Sequence, residues 1–136
     1  VLILIKKSMQ LSLTNIIFFI LASSIGATSR LFISNKIIFI NSVFPINTLL
    51  VNLCGSFLIG LMWSVSQHYN LPDTVKLIFI VGFLGSFTTF STFSLDCLKL
   101  IELNYYKHLT YYLITSVIGG ILLVIAGYQI SKLFFR

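Results

Sequence analysis

Four stretches of this chain are long and apolar enough to cross a bilayer, at about residues 12–33, 45–66, 75–98 and 109–133. A helix needs roughly 20 apolar residues to traverse the hydrocarbon layer. With 57% apolar residues and 9% charged, the chain has too little polar surface to cover a globule; soluble domains carry about 25% charged residues. Lipid must cover it. The segments do not alternate apolar and polar as barrel strands do. An all-α membrane protein follows, with residues 1–136 forming one integral membrane domain of four transmembrane helices. The connections hold Asn35-Lys36, residues 68–74 and residues 99–108. They are short, so neighbouring spans run antiparallel.

The ends and the charges add less. Lys6-Lys7, an apolar run and "ASSIGA" share the outline of a secretory signal. The run is of span length, however, and closes on Arg30 as an ordinary span does. Residues 1–8, ahead of Met9, read as an upstream extension. The net charge of +6 belongs to headgroup anchoring, not to a nucleic-acid surface. Cys54 and Cys97 both fall in spans and read as small apolar fillers.

Lys and Arg in flanking loops normally fix orientation. Here Lys6, Lys7, Lys76, Lys132 and Arg136 share one side, against Arg30, Lys36, Lys99 and Lys107 on the other. Without the upstream extension the balance is three to four. So even a distribution suits a chain that inserts both ways and pairs antiparallel with a second copy.

The spans also carry neutral polar residues. In the second, Thr48, Asn52, Ser56 and Gly60 recur every four residues and share one helical face. Small and hydroxylic residues commonly serve helix packing. Asn52 asks for more, because its amide has two donors to satisfy at mid-membrane and can offer them to an anion. In the fourth span, Tyr112, Ser116 and Gly120 make one stripe, and Tyr111, Thr115 and Gly119 its neighbour.

The third span holds "GSFTTFSTFS", residues 85–94, in which seven of ten residues are Gly, Ser or Thr and the rest Phe. These are mediocre helix formers, and Ser and Thr compete for backbone hydrogen bonds. The run therefore predicts a helix broken near residues 85–89. Non-helical backbone survives at membrane depth only where protein or a cavity buries it. A break frees carbonyl oxygens, which are hard-cation ligands. Phe90 and Phe93 share a helical face beyond it. Their positive ring edges can line an anion's path, with the Ser91 and Thr92 hydroxyls beside them as donors.

"GATSR" (residues 26–30), "TLLVNLCGSFLIG" (48–60) and above all "GFLGSFTTFSTFS" (82–94) resemble the motifs of the CrcB/Fluc fluoride channels. The resemblance runs from the first span to the fourth. It departs from the family pattern at Ser23-Ser24, Leu31, Asn47, Asp96 and Gly120, all outside the central run. It implies a passive fluoride channel, not an enzyme, in a bacterial-type plasma membrane. It implies an antiparallel, dual-topology homodimer with two fluoride pathways, a pairing with an oppositely oriented homologue being the variant. It implies a structural Na⁺ on the two-fold axis, held by the carbonyls of Gly85 and Thr88. Asn52, Phe90, Phe93, Ser91, Thr92, Tyr112 and Ser116 would line the pathway. Arg30 would stand at its entrance or hold the assembly.

Two other readings share the span count. A small dual-topology exporter of cationic drugs needs a buried carboxylate to exchange protons, and the first, second and fourth spans have none. A non-transporting subunit would use its hydroxyls only as helix glue.

Overall fold

The computed structural model describes residues 12–36 and 43–135. The expectations for residues 1–8, including Lys6 and Lys7, and for Arg136 lie outside them. All regular structure among the described residues is helical, and four helices are long and apolar enough to cross a membrane. The first span is the helix Leu13–Lys36 and the second the helix Ile46–His68. The third runs from Asp73 to Glu102 and the fourth from Tyr106 to Phe134.

The third and fourth spans are not uniform rods. The third starts as an α-turn, Asp73–Lys76, widens into π-helix over Leu77–Leu84, and closes with the turn Gly85–Phe87 before restarting as Phe90–Glu102. The fourth has helices Tyr106–Ile114 and Gly120–Phe134, joined by a π-helical stretch at Thr115–Gly119. A hydroxyl contact marks the start of this stretch at Thr115. Its hydroxyl bonds back to the carbonyl of Tyr111 at 2.6 Å and reaches that of Tyr112 at 3.3 Å. Back-bonding of this kind loosens the helical ladder. The even four-residue spacing expected across Tyr112, Ser116 and Gly120 is therefore altered, because these residues straddle a widened turn.

The helices outrun the apolar segments. Glu102, placed beyond the third span by hydropathy, lies in its last turn, and Asp73, expected in a loop, opens its first. Backbone chemistry sets these ends. Asn70 and Asn104 adopt left-handed φ of 47° and 58° just past the second and third spans. Around Asn104, the Tyr105 amide bonds the Leu100 carbonyl and the Asn104 amide that of Ile101. Around Asn70, the Leu71 and Asn70 amides bond the carbonyls of Ser66 and Gln67 in the same pattern. Both are Schellman closures, with Asn in the position glycine usually fills.

Packing follows two pairings. The second span lies along Gly120–Phe134 of the fourth, and the first span lies against Leu77–Phe87 of the third. The first pairing depends on close backbone approach. A β-carbon on Gly60 would collide with the Val124 carbonyl, and one on Gly127 with the Phe57 carbonyl. In lipid, such small-residue contacts and van der Waals packing hold helices together. A compact cluster of Leu49, Phe93, Leu100 and Tyr112 joins the second span to the later half of the third and the first part of the fourth. Long apolar side chains such as Phe18, Leu31, Ile121 and Leu133 face outward, as a lipid-facing surface requires.

The Gly60–Gly127 crossing gives a direct test. Gly60→Ala should lower the unfolding midpoint of the detergent-solubilised protein, since overpacking costs about 1–3 kcal/mol. An unchanged thermal midpoint would show that the two helices can separate without cost.

Candidate functional site

The helix of the third span stops at Thr88 and Thr89. Thr88 has φ −86° and ψ 158°, and Thr89 has φ −147° and ψ 121°, both extended. Gly85, the first residue of the expected break, stays helical at φ −64° and ψ −32°. The interruption thus occupies the last two residues of the expected window.

Side chains meet the hydrogen-bonding needs of the exposed backbone. The Asn52 amide nitrogen donates to the Thr89 carbonyl at 3.0 Å, while the Thr89 amide donates to Asn52 Oδ1 at 2.8 Å. One carboxamide thereby serves both main-chain groups of Thr89, as a neighbouring strand would. Left bare in lipid, each group would cost several kcal/mol. Thr89 Oγ1 accepts the Thr92 amide at 3.1 Å and so caps the helix that restarts at Phe90. Thr88 donates from both its amide and its hydroxyl to the Leu84 carbonyl, each at 3.0 Å.

This rerouting has a consequence for the carbonyls ahead of the restarted helix. In a continuous helix the Thr89 amide would bond the Gly85 carbonyl, and the Thr92 amide that of Thr88. Both amides are diverted, one to Asn52 and one to Thr89 Oγ1. The amides of Phe90 and Ser91 open the restarted helix, so the carbonyls of residues 86 and 87 leave the ladder with those of Gly85 and Thr88. On the second span, Gly55 gives room for the break: a β-carbon there would collide with Thr88 Cγ2.

A groove of about 270 Å³ opens beside the break, bringing together Asn52, Ser56, Thr88, Phe90, Phe93 and Ser116. Four of these were expected to line a pathway: Asn52, Phe90, Phe93 and Ser116. The phenyl centroids of Phe90 and Phe93 are 5.6 Å apart, with planes at 41°. Phe93 is 9% exposed, whereas Phe90 stands at the lip with 79% of its surface uncovered. Ser116 Oγ is buried without a hydrogen-bond partner. Only one N–H of the Asn52 amide is committed to Thr89, which leaves a second available.

The other expected residues lie elsewhere. Arg30 and Thr92 line a separate cavity of about 190 Å³, together with Ser34 and Thr48. Ser91 is exposed, with its hydroxyl 3.2 Å from Thr89 Oγ1. Tyr112 is fully buried behind Phe93, ring centroids 5.1 Å apart, and its hydroxyl donates to Asp96 Oδ2 at 3.3 Å. Phe44 meets the Tyr112 ring edge-on at 5.7 Å.

Thr89 was not singled out from the sequence, yet it lines both cavities, pairs with Asn52 and caps the restarted helix. The available signal was a hydroxyl residue just ahead of a renewed apolar helix, with Thr92 three positions on.

The groove offers neutral donors and aromatic edges and has no carboxylate in its lining. Among the described residues no cluster of His, Cys, Asp or Glu could hold a metal. Such a lining suits the passage of a dehydrated anion.

The sequence comparisons agree in one direction. A family model described as "CrcB-like protein, Camphor Resistance (CrcB)" matches residues 17–128. A protein named fluoride-specific ion channel FluC from Azobacteroides pseudotrichonymphae genomovar. CFP2 is 38% identical over 116 residues, covering 84% of this chain and 93% of that relative. One of the same name from Chlorobium phaeobacteroides (strain BS1) is 40% identical over 111 residues, covering 80% and 86%. Another, from Bacteroides fragilis (strain YCH46), is 42% identical over 91 residues, covering 67% and 72%. The match spans all four helices, the interrupted third among them, and the chain is a multi-pass membrane protein belonging to the CrcB family.

Proposed function

We propose that this chain is a fluoride-selective channel that lets fluoride leave the cytoplasm passively. One observation carries the reading: the interrupted third span sets Phe90 and Phe93 beside Asn52 and the unpartnered Ser116 hydroxyl in one groove. The relatives named for fluoride supply the ion.

The mechanism needs no energy-coupling site. Hydrofluoric acid is weak, so in acidic surroundings part of it is neutral and crosses lipid. It dissociates in a near-neutral cytoplasm, and the anion is trapped. A potential negative inside then drives fluoride outward with about 2.3 kcal/mol per 100 mV. Along the groove, the free Asn52 N–H and the Ser116 hydroxyl replace lost hydration, and the phenyl edges of Phe90 and Phe93 present weak positive charge. Tyr112 and Thr92 support these groups from behind, Ser91 sits at the exposed end of the Thr89 cap, and Arg30 attracts anions toward the neighbouring cavity.

The working unit is an antiparallel homodimer in this reading. Its support is the even balance of basic residues between the two sides and the uncovered Phe90 ring at the groove's lip. A second copy would complete the wall that one chain leaves open. The Gly85 and Thr88 carbonyls, relieved of their helical donors, fit the ligand chemistry of a structural Na⁺ shared between two copies. Such an ion would neutralise oxygens that otherwise face one another across the axis. A proton-coupled drug exporter is not favoured, since the first, second and fourth spans lack a carboxylate and the relatives are named as channels.

Purified protein in liposomes loaded with potassium fluoride should release fluoride when valinomycin is added across a potassium gradient. Absence of release would refute the reading. Asn52→Ala and Phe90→Ile should each slow release by about tenfold or more, the scale of one lost charge-assisted contact. Wild-type rates in both would remove them from the pathway. Crosslinking of protein expressed alone should trap a dimer, and a monomer that needs a homologue to conduct would exclude the homodimer.

A further inference from the structure

The Asn52 carboxamide and the Thr89 main chain form a reciprocal pair that joins the second and third spans across 37 residues of sequence. The pairing fixes the orientation of the Asn52 amide, because nitrogen must face the carbonyl and oxygen the N–H. The Thr89 hydroxyl meanwhile gathers the Thr92 amide, the Thr92 hydroxyl at 3.1 Å and the Ser91 hydroxyl at 3.2 Å. Every polar group that Thr89 owns is thus engaged at the interruption. Gly55, opposite Thr88, lets the second span come close enough for this contact.

We propose that Asn52 and Thr89 form a latch, in which the carboxamide holds Thr89 extended and the threonine hydroxyl starts the next helix, so that both are positioning residues for the groove. Asn52 carries two duties. It shapes the interruption first, and only its remaining N–H faces the ion. Thr89 sits between the groove of Phe90 and Phe93 and the cavity of Arg30, so its conformation sets the shape of both. Letting the latch go would leave both main-chain groups of Thr89 without their partner, loosen the extended turn and free Phe90 to shift from the lip of the groove.

The proposal rests on the channel reading only for its flux arm. Hydrogen exchange tests the latch itself, on full-length protein in lipid nanodiscs with resolution across residues 85–94. Asn52→Ala should speed exchange of the Thr89 amide by about tenfold or more. Asn52→Asp keeps an acceptor oxygen and should preserve most of that protection. Thr89→Ala leaves the main-chain pair intact and should expose the Thr92 amide alone, which keeps the proposal testable if Asn52→Ala does not fold. In liposomes, Thr89→Ala should lose most fluoride flux, and Thr89→Ser, which retains the hydroxyl, should recover most of the loss. Unchanged exchange at Thr89 in folded Asn52→Ala, or at Thr92 in Thr89→Ala, would overturn the latch whatever the flux. Should the wild-type protein carry no fluoride while these exchange patterns hold, the channel reading fails and the latch stands.

Discussion

Backbone amides and carbonyls cannot be left bare in hydrocarbon, and this constraint governs the molecule's middle. A helix satisfies it automatically. This chain gives up that solution for two residues, Thr88 and Thr89, and replaces the missing partners with the Asn52 carboxamide and the Thr89 hydroxyl. The replacement is incomplete: the Thr89 and Thr92 amides gain partners, while the carbonyls of residues 85–88 lose their helical donors. The same short segment thus yields main-chain groups held by side chains, oxygens released from the ladder, and two phenyl rings in one groove, Phe90 at its lip and Phe93 buried in its wall.

The surrounding packing serves that segment. Gly55 admits Thr88 against the second span, and the Gly60–Gly127 crossing holds the fourth span near enough for Ser116 to face Asn52 across the groove. The widened turn at Thr115–Gly119 changes the angle at which Ser116 and its neighbours point. Behind Phe93, Tyr112 and Asp96 make a polar contact within an otherwise apolar cluster. Neutral groups line the groove itself, an arrangement that lets an anion pass without binding it so tightly that it cannot leave.

Much of this was legible in the sequence because lipid is a demanding solvent. Four apolar runs of sufficient length leave few alternatives to four helices, and a cluster of Gly, Ser, Thr and Phe inside one of them marks where regular coiling is weak. The second-span stripe of Thr48, Asn52 and Ser56 was likewise readable from periodicity alone. What holds the interruption was not, because Asn52 and Thr89 are remote in sequence and their pairing exists only once two spans meet. Nor could spacing find the widened turn at Thr115–Gly119, because a four-residue periodicity presumes regular α-helix throughout. The true helix ends escaped hydropathy because Asn70 and Asn104 terminate the chain's coiling through left-handed backbone, a property indifferent to lipid.

Solid-state NMR on the protein in bilayers, with carbon-13 in its threonines, looks at the central feature itself. The account predicts Cα and carbonyl shifts of extended backbone at Thr88 and Thr89, flanked by helical shifts at Thr92. Helical values at all three positions would mean an unbroken third span, and the groove, the released oxygens and the pathway built on them would go with it.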